Sequence, residues 1–146
     1  MKHMDAAEAN ALIKRLKRGR HGWSMTLPEE AGTCLGRRID VHVFSSVLPR
    51  GGEPPLTDQE IDLLRTILTN LPKLAARAQK AWEGYEGECA LDEDSRLERP
   101  VIWIERDKQA GKSAGAWSMI IGIAGSDYGW NVNFVRTRFK EIYGGD

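Results

Sequence analysis

The last third of the sequence alternates apolar and polar residues over short segments, and this pattern allows few folds. Within residues 129–135, asparagines separate Trp130, Val132 and Phe134, so the three apolar side chains of a strand would share one face. Three further segments have the composition of strands: 101–104, 116–124 and 138–143. The connections between the four segments are too short for parallel crossovers. The sequence therefore predicts a C-terminal antiparallel meander.

One helix and two more strands are predicted before residue 46. Residues 5–18 carry apolar side chains at the i, i+3, i+4, i+7 spacing of an amphipathic helix, and Gly19 suits its C-terminal end. Residues 21–27 and 37–45 are predicted strands, the second because apolar residues alternate along it.

A helical pair is predicted in the centre of the chain. Thr57 and Glu60 form the sequence signature of a capping box, in which each side chain accepts a hydrogen bond from the other residue's backbone N–H. Pro72 disfavours a helical conformation at Leu71 and so divides the segment. Residues 57–86 are therefore predicted to be a helical hairpin or one kinked helix.

The order of these elements predicts an α+β fold in two layers, because the helices are segregated from the later strands. We expect an antiparallel sheet of about six strands, including the C-terminal meander. The N-terminal helix and the central helical pair would pack on it. A length of 146 residues is that of one domain. We therefore expect residues 1–146 to be a single domain, with positions 1–4 partly a cloning remnant.

Charge and composition argue against several functional classes. The 21 basic and 21 acidic residues give a formal net charge of zero, which argues against nucleic acid as a partner. The two cysteines, Cys34 and Cys89, are too few for a disulfide framework. The longest apolar run is about one-third of a membrane span, and acidic residues stand where a signal peptide needs an apolar stretch. We expect a cytoplasmic protein without membrane association. Its oligomeric state and the redox state of the cysteines stay open.

Three short motifs resemble catalytic or binding signatures, and each is incomplete. Residues 111–113 (Gly-Lys-Ser) resemble the end of a phosphate-binding loop, but Arg106 stands where that loop needs a glycine. Residues 22–26 (Gly-Trp-Ser-Met-Thr) lack the last glycine of a nucleophile elbow. The candidate metal ligands are His21, His42, Cys34, Cys89 and Asp40, and among them only Asp40 and His42 are closely spaced; two ligands do not make a site. We therefore expect no catalytic residues, no metal and no cofactor.

Charged residues are distributed unevenly along the chain. A basic run at positions 14–20 ends the first predicted helix, where cations are explained by their attraction to the helix dipole. Six acidic residues follow the central helices with no Lys or Arg between positions 81 and 95. A solvated loop accounts for such a run of like charges. The alternative, on which our partner-binding prediction rests, is that this segment and two aromatic residues near the turn at 127–129 contact a basic protein partner. The candidate partner-binding residues are Glu83, Glu86, Glu88, Asp92, Glu93, Asp94, Tyr128 and Trp130.

The five tryptophans are divided between core and surface in this prediction. Trp contributes strongly both to protein cores and to interfaces. We expect most of the five in the core. Trp130, which follows the turn at 127–129, is expected to be partly exposed together with Tyr128.

Two segments carry a resemblance to known proteins. Residues 56–60 (Leu-Thr-Asp-Gln-Glu) open the helical pair, and residues 127–134 (Asp-Tyr-Gly-Trp-Asn-Val-Asn-Phe) belong to the meander. This pattern resembles small, uncharacterised bacterial α+β proteins, some of them linked to polymorphic-toxin immunity. The resemblance covers roughly residues 20–146 and implies no catalytic residues.

These features lead to three hypotheses. The first is a cytoplasmic protein-binding module, and its more specific form is an immunity protein that neutralises a toxin by direct occlusion. Its acidic segment would contact a basic toxin domain, with Tyr128 and Trp130 as aromatic anchors. The second is a small enzyme or ligand-binding domain with a site between helices and sheet, for which His21, Asp40 and His42 are the candidates. The third, nucleic-acid binding, rests on the basic run alone.

Overall fold

The computed structural model describes residues 3–46, 50–85 and 96–145, which form an α+β fold as predicted. The helices in this part of the chain are α1 (Ala6–Ile13), α2 (Asp58–Thr69) and α3 (Leu71–Glu83). The strands are β1 (Lys17–Gly19), β2 (Gly22–Thr26), β3 (Thr33–Cys34), β4 (Arg37–Arg38), β5 (Asp40–Phe44), β6 (Val101–Glu105), β7 (Ala116–Gly122), β8 (Gly129–Val135) and β9 (Arg138–Gly145).

Seven of these strands form one sheet in the order β1-β2-β5-β6-β7-β8-β9, and β3 pairs with β4 separately. Neighbours in the large sheet are antiparallel except β5 and β6, which are parallel. The α2–α3 segment connects these two strands, and a parallel pair requires a long crossover of this kind. The prediction of an antiparallel sheet of about six strands is therefore wrong at this pair, and the sheet has one strand more.

The predicted C-terminal meander is confirmed. β6, β7, β8 and β9 are consecutive antiparallel neighbours. In β8 the side chains of Trp130, Val132 and Phe134 are buried, whereas the residues between them are half-buried. The pairing of β8 with β9 shifts register between Asn133 and Phe134, as at a β-bulge. One face of this part of the sheet is thus apolar and directed inward.

The helices cover one face of the seven-stranded sheet. Inward-facing side chains of the central strands, such as Val41, Ile104 and Met119, form one buried cluster with apolar side chains of the helices. Trp82 of α3 meets Trp130 of β8 edge to face, with ring centroids 5.6 Å apart. The helices supply Leu12, Ile13, Leu63, Leu64, Ile67, Leu68, Leu71 and Leu74 to this core. No described helix covers the opposite face of the sheet.

The N-terminal helix is shorter than predicted. α1 ends at Ile13, and Lys17–Gly19 is instead the edge strand β1, paired with β2. Leu16 is buried in this arrangement, as it would be on a longer helix. The apolar spacing therefore does not distinguish a helix that continues to residue 18 from a shorter helix followed by a strand. The last turn of α1 contains no basic residue. Lys14 is the C-cap of α1 and Arg15 follows it, whereas Lys17 and Arg18 lie on the edge strand β1. The helix-dipole explanation therefore applies only to the start of the basic run.

The central helices and their capping box are confirmed. The Thr57 hydroxyl accepts a hydrogen bond from the Glu60 backbone N–H at 3.1 Å, and the Glu60 carboxylate accepts one from the Thr57 N–H at 2.8 Å. The division lies one residue earlier than predicted, because Leu71 already begins α3. Asn70 alone separates α2 from α3, and its φ of −117° and ψ of 14° interrupt the helical path. Pro72 lies in the first turn of α3, where its missing N–H leaves no hydrogen bond unmade.

Candidate functional site

The face of the seven-stranded sheet that no described helix covers is termed the open face. Its strand pairings place one residue from each strand in a single line across the sheet, which we call the transverse row. From β1 to β9 the row consists of Lys17, Ser24, His42, Trp103, Ser118, Asn133 and Glu141. Since neighbouring strands are about 4.8 Å apart, the row is about 29 Å long. It joins positions that are far apart in the sequence.

Several side chains of the transverse row contact one another. The rings of His42 and Trp103 meet edge to face with centroids 4.9 Å apart. The Ser118 hydroxyl donates to Asn133 Oδ1 at 2.6 Å, and Asn133 Nδ2 donates to Glu141 Oε1 at 3.4 Å. These contacts hold the side chains in place before any partner binds, and such preorganisation lowers the entropic cost of association.

Aromatic rings form the centre of the open face. Phe44 packs beside Trp103 with ring centroids 4.6 Å apart and meets His42 edge to face at 5.5 Å. The ring of His21 lies 6.2 Å from Phe44 on the outer side of this cluster. His42, Phe44 and Trp103 are each half-buried. The cluster therefore presents apolar ring surface to solvent in the middle of the sheet.

Two open clefts flank Trp103 on the open face. The first has a volume of about 760 Å³ and lies toward β1. The second has a volume of about 470 Å³ and lies toward β9, where Tyr143 is 52% exposed. Polar and charged residues lining the first cleft are Arg15, Lys17, Ser24, Thr26, Asp40 and His42. Those lining the second include Glu105, Ser118, Asn131, Asn133 and Glu141.

Two carboxylates of the open face are already neutralised. Asp40 accepts a hydrogen bond from Arg99 Nε at 3.1 Å and forms an ion pair with it. Glu105 forms an ion pair with Lys108 at 3.0 Å. The hydrogen bond to Glu105 raises the pKa of Lys108, so this lysine stays charged. The middle of the open face therefore carries little uncompensated charge.

The three residues proposed for a small-molecule site lie in or beside the first cleft. Asp40 and His42 share one face of β5, but no described hydrogen bond joins their side chains. His42 Nε2 lies 3.3 Å from the backbone oxygen of His21, and Asp40 accepts from the Thr26 hydroxyl at 2.7 Å. These side chains contact other groups and do not form the mutually oriented acid–base pair that proton transfer needs.

A buried ion cluster fixes the loop that precedes α2. Arg106 donates to both carboxylate oxygens of Glu60, at 2.7 and 2.8 Å, and to Glu53 Oε1 at 2.8 Å. Its other hydrogen bonds reach the carbonyls of Pro54 and Pro55. The side chains of Arg106, Glu60 and Glu53 are only 9%, 5% and 0% exposed. Burial alone lowers the pKa of Arg106, but hydrogen bonds to the two carboxylates outweigh it and raise that pKa. The cluster is thus a charged clamp, too enclosed to receive a ligand.

The predicted partner-binding residues lie away from the transverse row, as far as the structure describes them. Glu83 is exposed at the end of α3, and Tyr128 is half-buried beside Trp130. Trp130 is only 1% exposed, so the prediction that it is partly exposed is wrong. The alternation of β8 turns its ring inward against Trp82. The remaining predicted residues, Glu86, Glu88, Asp92, Glu93 and Asp94, lie outside the described residues.

Sequence reasoning did not identify Phe44, Trp103 and Tyr143 as residues of a surface. Trp103 stands in the apolar run 101–104, which has the same pattern whether a strand is buried on one face or on both. For Phe44 a signal existed, because the alternation in β5 places it on the same face as the polar side chain of His42.

Comparison with known proteins adds no family and no relative. A scan against models of protein families found no match, and neither did searches of curated proteins and of solved structures. In the described part of the chain, no group of three or more His, Cys, Asp or Glu side chains could hold a metal ion. No helix there is both long and apolar enough to cross a membrane.

Proposed function

We propose that this protein is a protein-binding module and that its partner docks on the open face. One observation carries the proposal: His42, Phe44 and Trp103 are half-buried in the centre of that face, and no described element packs over them. Protein interfaces combine an apolar, aromatic-rich centre with a polar rim, and Trp and Tyr are enriched among the residues that contribute most to binding. The open face has this anatomy, since hydroxyl and amide side chains surround the rings.

The charges of the open face favour a protein over a nucleic acid. Asp40, Glu105 and Glu141 all lie on it, and carboxylates repel phosphate groups. A surface that binds a polyanion carries an excess of unpaired cations. Arg99 and Lys108, which lie beside two of these carboxylates, are both used in ion pairs. The cations lining the two clefts without an ion pair among the described residues are Arg15, Lys17 and Lys140, near the two edge strands and not in the centre of the face. A partner surface of mixed polarity matches this distribution better than a phosphate backbone does.

An immunity protein is a more specific candidate for the protein-binding role, and its contacts would lie on a different surface, away from the transverse row. The resemblance over residues 20–146 favours it, and so does the acidic segment that starts at Glu83. In this form the protein neutralises a bacterial toxin by direct occlusion, with acidic residues and Tyr128 against a basic toxin domain. The test is to express the protein encoded beside this chain's gene with and without this chain. Rescue of growth supports the role, and unchanged toxicity contradicts it.

The first cleft supports a second candidate function, binding or conversion of a small molecule. Its volume of about 760 Å³ lies in the range of about 300–1,000 Å³ that is typical of ligand sites. The cleft is on the open face and not between the helices and the sheet, where the sequence placed such a site. A thermal-shift screen of metabolites against the wild type and D40N tests this function. Stabilisation that D40N removes supports it.

A single arginine in the centre of the open face tests the docking proposal. Ser118 neighbours Trp103 across the β6–β7 pairing and points away from the core, so S118R adds bulk and charge to the open face alone. The control is A76R on the exposed side of α3. We expect a partner, captured from source cells and identified by mass spectrometry, to bind the wild type and A76R but not S118R. Equal capture of that partner by all three would contradict the proposal.

A further inference from the structure

We propose, resting on the function proposed above, that the partner of the open face is a second copy of this chain. The two copies would be related by a twofold axis that runs along β6 over Trp103. The transverse row carries this inference because it is self-complementary. Counted inward from the two ends of the row, the cation Lys17 is matched with the carboxylate of Glu141. The hydroxyl of Ser24 is then matched with the amide of Asn133, and the imidazole of His42 with the hydroxyl of Ser118. Its central residue, Trp103, is matched with itself.

The strand order supplies the geometry for this match. When two sheets pack face to face about a twofold axis parallel to their strands, the first strand of one copy lies over the last strand of the other. β6 is the fourth of seven strands, so it is the strand that meets its own copy. Such an isologous contact repeats every off-axis pair twice. Packed sheets are about 10 Å apart, a distance that two facing side chains can span.

The ends of the row set the orientation of the two copies. Lys17 is exposed and has no ion pair in the part of the chain that the structure describes. Glu141 is exposed at the other end. With the axis along the strands, Lys17 of each copy faces Glu141 of the other. An axis across the strands would place like charges over each other, and like charges oppose association.

The centre of the row contributes apolar contact. Trp103 is half-buried, and a second Trp103 on the axis would remove its remaining surface from water. Aligned sheets cross at about 30°, so the pairs near the axis superpose best, and the long Lys and Glu side chains at the ends can follow the rotation. Glu105, also on β6, would approach its own copy, but Lys108 neutralises it at 3.0 Å.

Sedimentation equilibrium of the wild type and charge variants tests the inference. We expect the wild type to dimerise and K17E or E141K alone to raise the dissociation constant about tenfold, because each brings like charges together twice. The double variant K17E/E141K restores opposite charges in exchanged order, and we expect it to dimerise like the wild type. S118R should be monomeric, and A76R should match the wild type. Circular dichroism checks that every variant is folded.

The outcomes separate this inference from the proposed function. A dimer that survives S118R, or one that the double variant does not restore, overturns the inference. A wild type that stays monomeric overturns it as well. If that monomer captures a different protein in an S118R-sensitive way, the proposed function stands and only the identity of the partner is wrong. If nothing binds in an S118R-sensitive way, both proposals fail.

Discussion

Arg106 holds two acidic side chains in a part of the molecule from which water is largely excluded. Replacing it with methionine keeps much of the side chain's volume but leaves Glu53 and Glu60 without a counter-charge. Removing one partner of a buried ion pair typically costs about 3–5 kcal/mol, because an uncompensated charge stays buried. We expect R106M to lower the free energy of unfolding by an amount in this range, measured by urea denaturation.

The matched control for R106M is another arginine in an ion pair, Arg99. Its side chain is 53% exposed and its partner Asp40 is also accessible, so solvent screens their attraction. Exposed pairs of this kind contribute about 0–1 kcal/mol. R99M should therefore cost less than about 1 kcal/mol. If R106M cost no more than R99M, the clamp would not have the structural role assigned to it.

Cys34 is a free thiol that burial protects from reaction. It is 1% exposed, and its Sγ lies 3.8 Å from the carbonyl oxygen of Ala75. Burial raises the pKa of this thiol from 9.0 to about 11, and the thiolate is the reactive form. In a C89S background, which leaves one cysteine, we expect a disulfide reagent at neutral pH to label the native protein very slowly. It should label the chain rapidly in denaturant, and rapid labelling of the native protein would contradict this.

The same pKa predicts how stability depends on pH. The unfolded chain loses the thiol proton near pH 9.0, whereas the folded chain keeps it to about pH 11. Between these values the folded state binds more protons, so the contribution of Cys34 to stability falls as the pH rises, and below that window it is fully present. Urea denaturation of C89S and C34A/C89S should show a steeper loss in C89S across this window. Parallel pH profiles would contradict the prediction.

At the scale of elements, the hairpin of β1 and β2 approaches β5 very closely at Gly22. Its φ is +126°, and a Cβ atom built there would lie 1.9 Å from the carbonyl oxygen of Val43. Alanine therefore adds both backbone strain and a clash with another backbone. We expect G22A to lower the free energy of unfolding by roughly 3 kcal/mol, measured by urea denaturation.

Gly36 provides the comparison for G22A, because it separates strain from crowding. Its φ is +70°, and a Cβ atom there would have no neighbour within 4 Å. Only the cost of the left-handed conformation applies, and G36A should lose about 1 kcal/mol. Equal losses of unfolding free energy in G22A and G36A would show that the close approach of β2 to β5 adds nothing to the cost of G22A.

The elements that the sequence predicted well are those set by local signals. Thr57 and Glu60 are three residues apart, and the capping box needs nothing beyond them. The meander follows from alternation within each strand and from short connections, which leave antiparallel pairing as the solution. Both features depend on interactions between residues close in sequence, so a single sequence contains the necessary information.

β1 and the parallel pair were not predicted, because both depend on contacts between distant segments. Leu16 fits the apolar spacing of residues 5–18 as part of a longer helix, and it is equally buried in its observed position just before the strand β1. Pairing of Asp40 with Val101 joins positions on either side of the helical pair. Alternation identifies a strand but does not identify its neighbour or that neighbour's direction.

At the scale of the whole molecule, the candidate site depends on which sheet face the helices leave uncovered. The transverse row collects residues from Lys17 to Glu141, and no local pattern links them. Trp103 and Trp130 both lie on predicted strands, yet only Trp103 is on the open face. Strand alternation separates inward from outward side chains, and Trp130 could have been placed correctly with Val132 and Phe134. The position of Trp103 follows only from the packing of the helices.

The described residues share one core, which predicts a single cooperative unfolding transition. α1, α2, α3 and the seven-stranded sheet all contribute to the same buried cluster. S118R is the suitable variant for this test, because we expect it to be monomeric. Its unfolding should give coincident curves by far-ultraviolet and by tryptophan-dominated near-ultraviolet circular dichroism. The calorimetric enthalpy should be about 100 kcal/mol for a chain of this length and should equal the van't Hoff enthalpy.

The wild type extends this test to the proposed dimer. Association of folded copies stabilises the folded state by mass action, so its Tm should rise with protein concentration, whereas the Tm of S118R should not. Separate spectroscopic transitions in S118R, for example because the α1–β1–β2 region melts before the meander, would show that the described residues do not unfold as one core. A concentration-independent Tm in the wild type would leave the single core intact and count against association through the open face.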